Sequence, residues 1–251
     1  MVQLYDLVRY CDELLLAAKF SDYAPNGLQV EGRTQIAKLV TGVTASQALI
    51  DAAVAARADA LLVHHGFFWK GESPVVTGLK RHRLGALIEN NISLIAYHLP
   101  LDAHPDLGNN AQLARVLGLT VEGRFGRGGD ELAMYGVLPH PMSVNELSHH
   151  LGVRLGREPL HLAGSGDEIA RVAWCSGAAQ GYIEAASELG VQAFISGEVS
   201  EQTTHFAHES GIHYFAAGHH ATERYGVQAL GEHLAQQFSL QHEFIDIENP
   251  V

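Results

Sequence analysis

The chain alternates short apolar runs with longer segments in which apolar residues recur every three or four positions. The runs AKLVTGVTA and DALLVHHG are typical of buried strands, since β-branched residues and leucine fill them. The segment SQALIDAAVAARA between them predicts a helix with Ser46 as its N-cap. Strands alternating with helices predict an α/β fold with a largely parallel sheet covered on both faces. Further helices are predicted in MVQLYDLVRYCDELLLAAKF, GLKRHRLGALIEN and NNAQLARVLGL, a strand in ISLIAYHLP, and a loop in SDYAPNGLQVEG.

The sequence also contains an internal repeat. Residues 36–65 can be laid on residues 169–198 without a gap, and eight of the thirty positions are identical. Alanine-rich helices often match one another by chance, but here the flanking strands match as well. Further on, ISLIAYHLPLD can be laid on IHYFAAGHHAT, so the order strand, helix, strand, helix, strand occurs twice. The repeat predicts two similar α/β lobes.

The lobes are expected at residues 1–125 and 165–251. Between them, residues 126–164 predict a small strand, helix, strand insertion, carried by ELAMYGVLP, SVNELSHHLG and PLHLAG. The glycine-rich segments GRFGRGGD and AGSGDE bound this insertion and are flexible by composition.

Composition and charge exclude several classes of protein. The chain is 47% hydrophobic and 18% charged, which is typical of a globular protein rather than a disordered one. Its formal charge is −12 and it has no long run of Lys or Arg, so binding to duplex nucleic acid is not expected. Two distant cysteines, the lack of an apolar membrane span and the lack of a secretory signal favour a cytoplasmic protein without disulfides.

Candidate metal ligands cluster where predicted strands give way to loops, the edge at which parallel α/β sheets bind ligands. Neighbouring residues that leave a strand point in opposite directions, so His64 and His65 are expected to serve one each of two adjacent ions. His219 and Glu223 stand at i and i+4 of a predicted helix, where the carboxylate is placed to bridge two ions. Imidazole with carboxylate and no thiolate favours Fe, Mn, Zn or Ni. The whole group is His64, His65, His98, Asp102, Glu198, His219, His220 and Glu223.

Other interpretations of these residues stay open at this point. A histidine pair at a strand end is often a capping feature, a helical His and Glu are often a surface pair, and Asp102 suits a turn. His98 is either an outer orienting residue or a buried strand-end histidine. Glu198, which overlies His65 in the repeat, is either a base or a salt-bridge partner.

Six motifs spread over the chain resemble the NGG-interacting-factor-three-like (Nif3-like) family. This resemblance implies a two-lobed α/β subunit with a dinuclear metal site between the lobes, and six subunits in a toroid. The family's ligand pattern matches His64, His65, Asp102, His219 and Glu223, and it selects His219 over His220. Some members are labelled as a second type of GTP cyclohydrolase, and one bacterial member is linked to radiation resistance and disposal of damaged nucleotides. The motifs are SDYAPNGLQVEG, VTGVTAS, LLVHHGFFWKGE, YHLPLDAHPDLGNNAQLA, ISGEVSEQT and AAGHHATERYG.

Two functions from different classes follow from these expectations. The first is a metal-dependent hydrolase that acts on a small molecule such as a nucleotide or a cyclic amide, with His98 or Glu198 transferring the proton. The second is a non-catalytic metal-binding ring that acts as a scaffold, a store or a sensor. A Walker loop, a dinucleotide-binding glycine motif and a nucleophile elbow are all missing from the sequence. Both hypotheses therefore depend on the metal ligands.

Overall fold

The computed structural model describes residues 1–127 and 130–251. Contacts between Cα atoms divide the chain into two compact units. The first unit consists of Met1–Gly108 and Gly226–Glu248, and the second of Asn109–Tyr225 and Asn249–Val251.

The strands of the described residues are numbered here in chain order. They are β1 (Val2–Gln3), β2 (Gly27–Val30), β3 (Gln35–Ile36), β4 (Lys38–Thr44), β5 (Ala60–His65), β6 (Ser93–Ala96), β7 (Thr120–Arg127), β8 (Asp130–Ser143), β9 (Leu160–Leu162), β10 (Glu168–Cys175), β11 (Ala193–Ser196), β12 (His213–Ala216) and β13 (Gln241–Phe244).

The α-helices are numbered in the same way, and two short 3-10 turns at Ala17–Lys19 and Gln180–Tyr182 accompany them. They are α1 (Leu4–Leu14), α2 (Gln47–Ala55), α3 (Gly78–Glu89), α4 (Leu99–Ala103), α5 (Asn109–Leu117), α6 (Val144–Leu155), α7 (Ile183–Glu188), α8 (Glu201–Ser210) and α9 (His219–Phe238).

The first unit is built on a five-stranded sheet in the order β13, β4, β5, β6, β2. The first four of these strands are parallel, and β2 pairs with β6 in the antiparallel sense. Alternate residues of the strands enter different apolar clusters: Leu39 packs with α1 and α9, whereas Val40 packs with α2 and α3. Helices therefore cover both faces, which confirms the predicted α/β class.

The second unit has a six-stranded sheet in the order β7, β8, β10, β11, β12, β9. Among its described residues, the parallel pairings are those of β10 with β11 and of β11 with β12. Residues 126–164 contain β8, α6 and β9; β8 pairs in the antiparallel sense with β10, and β9 does so with β12, so both strands belong to this sheet and the separate insertion stays a prediction. Of its glycine-rich boundary, residues 128–129 lie outside the described residues.

The bounds of the two units differ from those of the predicted lobes. Residues 109–125 group with the second unit, because α5 packs its apolar face with α6 and β8. Residues 226–248 group with the first unit, where Val227 and Leu230 of α9 enter the core and β13 pairs with β4. The predicted boundaries rested on the ends of the repeat, which carry no information on where flanking elements pack.

The strand registers of the two units correspond at the offsets seen in the sequence. Leu39 pairs with Ala60 in the first unit, and Val172 pairs with Ala193 in the second, 133 positions later. Ser93 pairs with Ala60 and His213 pairs with Ala193, an offset of 120 between Ser93 and His213. The repeat itself stays a prediction of the sequence.

Three local features bear on the regions around the candidate site. Ser46 caps α2 as predicted, because its side chain accepts a hydrogen bond from the Leu49 amide at 3.2 Å. The segment SDYAPNGLQVEG is not wholly a loop, since β2 lies within it. Phe67, in the segment that follows β5, is buried in the apolar cluster of α2 and α3.

In the part of the chain that the structure describes, no helix combines the length and apolarity needed to cross a membrane.

Candidate metal centre

In the first unit, four predicted site residues lie at the carboxyl ends of two neighbouring parallel strands. His64 and His65 are the last residues of β5, and His98 and Asp102 follow β6, with Asp102 on α4. The order of the sheet brings these strand ends together, because β5 and β6 pair directly.

His64 is completely buried and is held from both sides. Its Nδ1 atom lies 3.0 Å from the backbone oxygen of Tyr97, and its Nε2 atom lies 3.5 Å from Oδ1 of Asp102, which is itself buried. A carbonyl oxygen can only accept a hydrogen bond, so Nδ1 carries the proton of the neutral ring. Nε2 then presents its lone pair to a carboxylate, an arrangement that a cation or a second proton must neutralise.

His65 and His98 extend this group of imidazoles. Nitrogen atoms of His64, His65 and His98, one from each ring, all lie within 4.8 Å of one another. The ring centroids of His64 and His65 are only 4.4 Å apart, closer than strict alternation along a strand would place them. His65 is the last residue of β5, where the strand geometry ends. The two rings therefore lie beside one another rather than on opposite faces of the sheet.

In the second unit, the remaining predicted residues meet at the start of α9. Nε2 of His219 lies 3.1 Å from Oε2 of Glu223, one helical turn further on, as the i and i+4 spacing predicts. Nδ1 of His219 donates a hydrogen bond of 2.7 Å to Oε1 of Glu198, which follows β11. The Glu223 side chain is almost fully buried, whereas that of Glu198 is about one third exposed.

Electrostatics make His219 an unusual histidine. Burial by itself lowers its pKa, but hydrogen bonds and charges from Glu223 and then Glu198 outweigh burial and raise the pKa to about 9. His219 is therefore protonated at neutral pH in the metal-free chain. Two carboxylates around one imidazole attract a cation, whether that cation is a proton or a metal ion.

Glycines allow the close packing around Glu223 and His219. Gly177 has a φ of +65°, and a Cβ added there would collide with the Glu223 carboxylate and lie 3.2 Å from Nε2 of His219. A Cβ on Gly197 would lie 2.7 Å from Cα of His219. A larger residue at position 177 would push the Glu223 side chain out of place, and one at position 197 would collide with the backbone at His219 and Gly177.

One hydrogen-bonding pattern is common to the four imidazoles of the two units. In each ring Nδ1 contacts a nearby oxygen, so Nε2 is the nitrogen with which the ring would bind a metal. Imidazoles of metal sites usually have such a partner on the other nitrogen, and these residues therefore fit a divalent ion. The contacts are His64 to the oxygen of Tyr97, His65 to Oγ1 of Thr44 at 3.3 Å, His98 to Oδ1 of Asp22 at 2.9 Å, and His219 to Oε1 of Glu198.

The family model described as Duf34/NIF3 (NGG1p interacting factor 3) matches residues 2–250. The chain belongs to this family. A relative from Pseudomonas aeruginosa, named GTP cyclohydrolase 1 type 2 homolog, is 57% identical over 250 residues, 99% of each chain. A protein of the same name from Escherichia coli (strain K12) is 55% identical over 246 residues, 98% of each chain. Among solved structures, that of the protein ybgI is 53% identical with a TM-score of 0.96, and each chain is covered to 100%.

The structure of this NIF3 family member contains the expected candidate residues in two groups, one in each unit. His64, His65, His98 and Asp102 form the first-unit group, and Glu198, His219 and Glu223 form the second-unit group. His220, the histidine that the resemblance set aside, is buried, and its backbone amide donates to the oxygen of Val251. The groups contain His, Asp and Glu side chains that can bind metal.

Sequence reasoning missed the residues that surround His98. Asp22 accepts the Nδ1 proton of His98, the Tyr23 hydroxyl lies 3.3 Å from Nε2, and the amide of His98 donates to Oδ1 of Asn26. Trp69 stacks on Tyr23 and meets the His98 ring edge-on. The only signal was a cluster of polar residues, SDYAPNG, in a segment interpreted as a plain loop, and such loops often carry functional residues.

Proposed function

We propose that the chain binds two divalent metal ions through His64, His65, Asp102, His219 and Glu223, and that it hydrolyses a small molecule with them. The observation that carries the proposal is the His64 and Asp102 pair, where a completely buried Nε2 atom faces a buried carboxylate oxygen. Buried carboxylates that face imidazole lone pairs are costly without a cation.

Five ligands leave room for more than one ion. His64 and His65 are adjacent rings with separate partners on Nδ1, and Glu223 has two oxygens for two ions. The donor set of imidazole and carboxylate suits Fe, Mn, Zn or Ni. When bound, two such ions supply polarisation of a C=O or P=O bond and activation of water at neutral pH.

The residues beside the ligands favour a catalyst over a static scaffold. His98 and Glu198 are acid or base groups outside the five-ligand pattern, and each has a defined hydrogen-bond partner. Relatives that carry the name GTP cyclohydrolase 1 type 2 homolog support a nucleotide or another cyclic amide as the substrate class. The second candidate function is a ring of subunits that stores or senses metal. The same five ligands support this function, but it gives no role to His98 and Glu198.

We also propose a ring of six subunits in the cytoplasm, on the resemblance to the family. Sedimentation should give a particle of six times the 27.1 kDa of the chain. A particle of one or two chains would refute the ring.

The experiment that tests the function begins with metal analysis of protein purified without chelator. We expect about two ions per chain, and turnover of GTP, dihydrouracil or bis-p-nitrophenyl phosphate that a chelator abolishes and added Mn, Fe, Zn or Ni restores. Glu223→Ala should lose both ions, while the neighbouring His220→Ala should keep them. Two bound ions without turnover of any probe would favour the storage or sensing role. Fewer than one ion per chain would refute both that role and the hydrolase.

A further inference from the structure

Asp22 and His98 form a buried carboxylate and imidazole pair within the first unit. Nδ1 of His98 lies 2.9 Å from Oδ1 of Asp22, and both side chains are less than one tenth exposed. The two residues are 76 positions apart in the sequence, so the tertiary fold creates the pair.

Asp22 is itself tightly held. Oδ1 also accepts hydrogen bonds from the amides of Tyr23 and Ala24, and Oδ2 accepts from the Leu99 amide and from the side-chain amide of Asn26. Burial raises the pKa of Asp22, but the hydrogen bonds from His98 and Asn26, the charge of His98 and the bond from Leu99 outweigh it and lower the pKa to about 2. The group is therefore an ionised carboxylate that can only accept.

This environment determines which nitrogen of His98 keeps its proton. Because the ionised carboxylate of Asp22 has no proton to give, Nδ1 of His98 must carry the hydrogen of their contact, and in the neutral ring Nε2 is then the nitrogen without a hydrogen. One ring nitrogen of His98 lies within 4.8 Å of nitrogens of His64 and His65, and the Tyr23 hydroxyl lies 3.3 Å from Nε2.

We propose that Asp22 is a positioning residue that fixes the proton of His98 on Nδ1, so that Nε2 of His98 accepts or returns the proton in the reaction of this site. The catalytic half of this inference rests on the proposed hydrolase function. The positional half rests on the geometry of the first unit alone. Nothing in the family pattern of five ligands assigns a role to Asp22.

The test reads the ring nitrogens directly, by solid-state nuclear magnetic resonance of zinc-loaded protein labelled with ¹⁵N-histidine, with His98→Gln to assign the signals. We expect neutral His98 to carry its proton on Nδ1. In Asp22→Asn the amide cannot accept from all five donors, so the proton should shift to Nε2 or spread over both nitrogens. Asp59→Asn is the matched control, since Asp59 also accepts two backbone amides in this unit but does not contact His98.

A wild-type His98 with its proton on Nε2, or an Asp22→Asn protein with the proton still on Nδ1, would overturn the inference. If Asp22→Asn does not fold, Tyr23→Phe replaces it: loss of this half-exposed hydroxyl should shift Nε2 and leave Nδ1 unchanged. A shift of Nδ1 instead would also overturn the inference.

Kinetic measurements then distinguish a positioning role of Asp22 from a purely structural role. On a probe that the wild type hydrolyses, Asp22→Asn and His98→Gln should each lower kcat about 10²-fold at unchanged metal content, and the double variant should be no worse than either. Loss of metal from His98→Gln would make His98 a ligand and overturn the proton role. If the wild type binds no metal or turns over no probe, the proposed function fails, and the same nitrogen assignment made on the protein without added zinc still decides the role of Asp22.

Discussion

Nε2 of His64 lies 3.5 Å from Oδ1 of Asp102, and neither side chain has appreciable contact with solvent. The Tyr97 oxygen fixes a proton of the ring on Nδ1, so in the neutral ring the two facing atoms are a nitrogen lone pair and a carboxylate oxygen. A cation between them removes this repulsion, which makes the pair a sensitive probe of metal binding.

Asp102→Asn should therefore lower metal content below one ion per chain, because a neutral amide replaces the anionic ligand. Metal analysis after dialysis measures the loss. Asp106→Asn is the control, since this exposed carboxylate four residues later is outside the group and its loss should leave the metal content unchanged. Equal metal content in both variants would remove Asp102 from the ligand set.

Metal binding should release a proton from His219 over a defined range of pH. In the metal-free chain the pKa of His219 is raised from 6.5 to about 9, so the protonated ring stabilises the fold fully below pH 6.5, and this stabilisation is lost as the pH rises through about 9. Metal displaces that proton, so this group should make the apparent affinity rise about tenfold per pH unit below about pH 9 and level off above it. Calorimetry in buffers of different ionisation enthalpy measures the release.

His219→Gln supplies the check on that prediction, because it removes the group that is titrated. A proton release that is absent in the wild type, or that persists in the variant, would show that His219 is not the group displaced by metal.

Glu198→Gln should lower turnover about 10²-fold if Glu198 transfers a proton in the reaction. The structure adds an expectation, since Glu198 accepts a hydrogen bond from Nδ1 of His219. Weakening that contact should reduce metal affinity about tenfold or more, so turnover is to be compared at saturating metal. If added metal cannot restore the metal content of Glu198→Gln, Glu198 is essential for metal binding. If the turnover of this variant is unchanged, Glu198 has only a structural role.

Gly177→Ala should lose metal and stability together, because its Cβ would displace Glu223 and its φ of +65° disfavours alanine. Gly156→Ala is a matched control: Gly156 has a φ of +70°, but a Cβ there meets no atom within 4 Å. The control should lower the free energy of unfolding by about 1 kcal/mol from backbone strain alone and keep its metal. Thermal unfolding and metal analysis of the two variants distinguish the effect of backbone strain, which both share, from that of the collision with Glu223, which only Gly177→Ala introduces.

Much of the candidate site was predictable because its residues stand at the ends of local patterns. His64 and His65 end an apolar run, and His219 and Glu223 share a helical spacing directly after another run. Strand ends and i, i+4 spacings depend only on near neighbours in sequence, so periodicity locates them. The same local information predicted most helices and the N-cap at Ser46.

Only the tertiary structure decided which distant residues meet. The pairing of β5 with β6 brings His98 beside His64, and the fold of the segment before β2 carries Asp22 to His98 across 76 positions. Likewise, the place of Phe67 in the core and the room that Gly177 leaves for the Glu223 carboxylate depend on residues that are distant in sequence. The hydrophobic pattern fixes which face of each element is buried, whereas sheet order and packing select the partner against which that face lies.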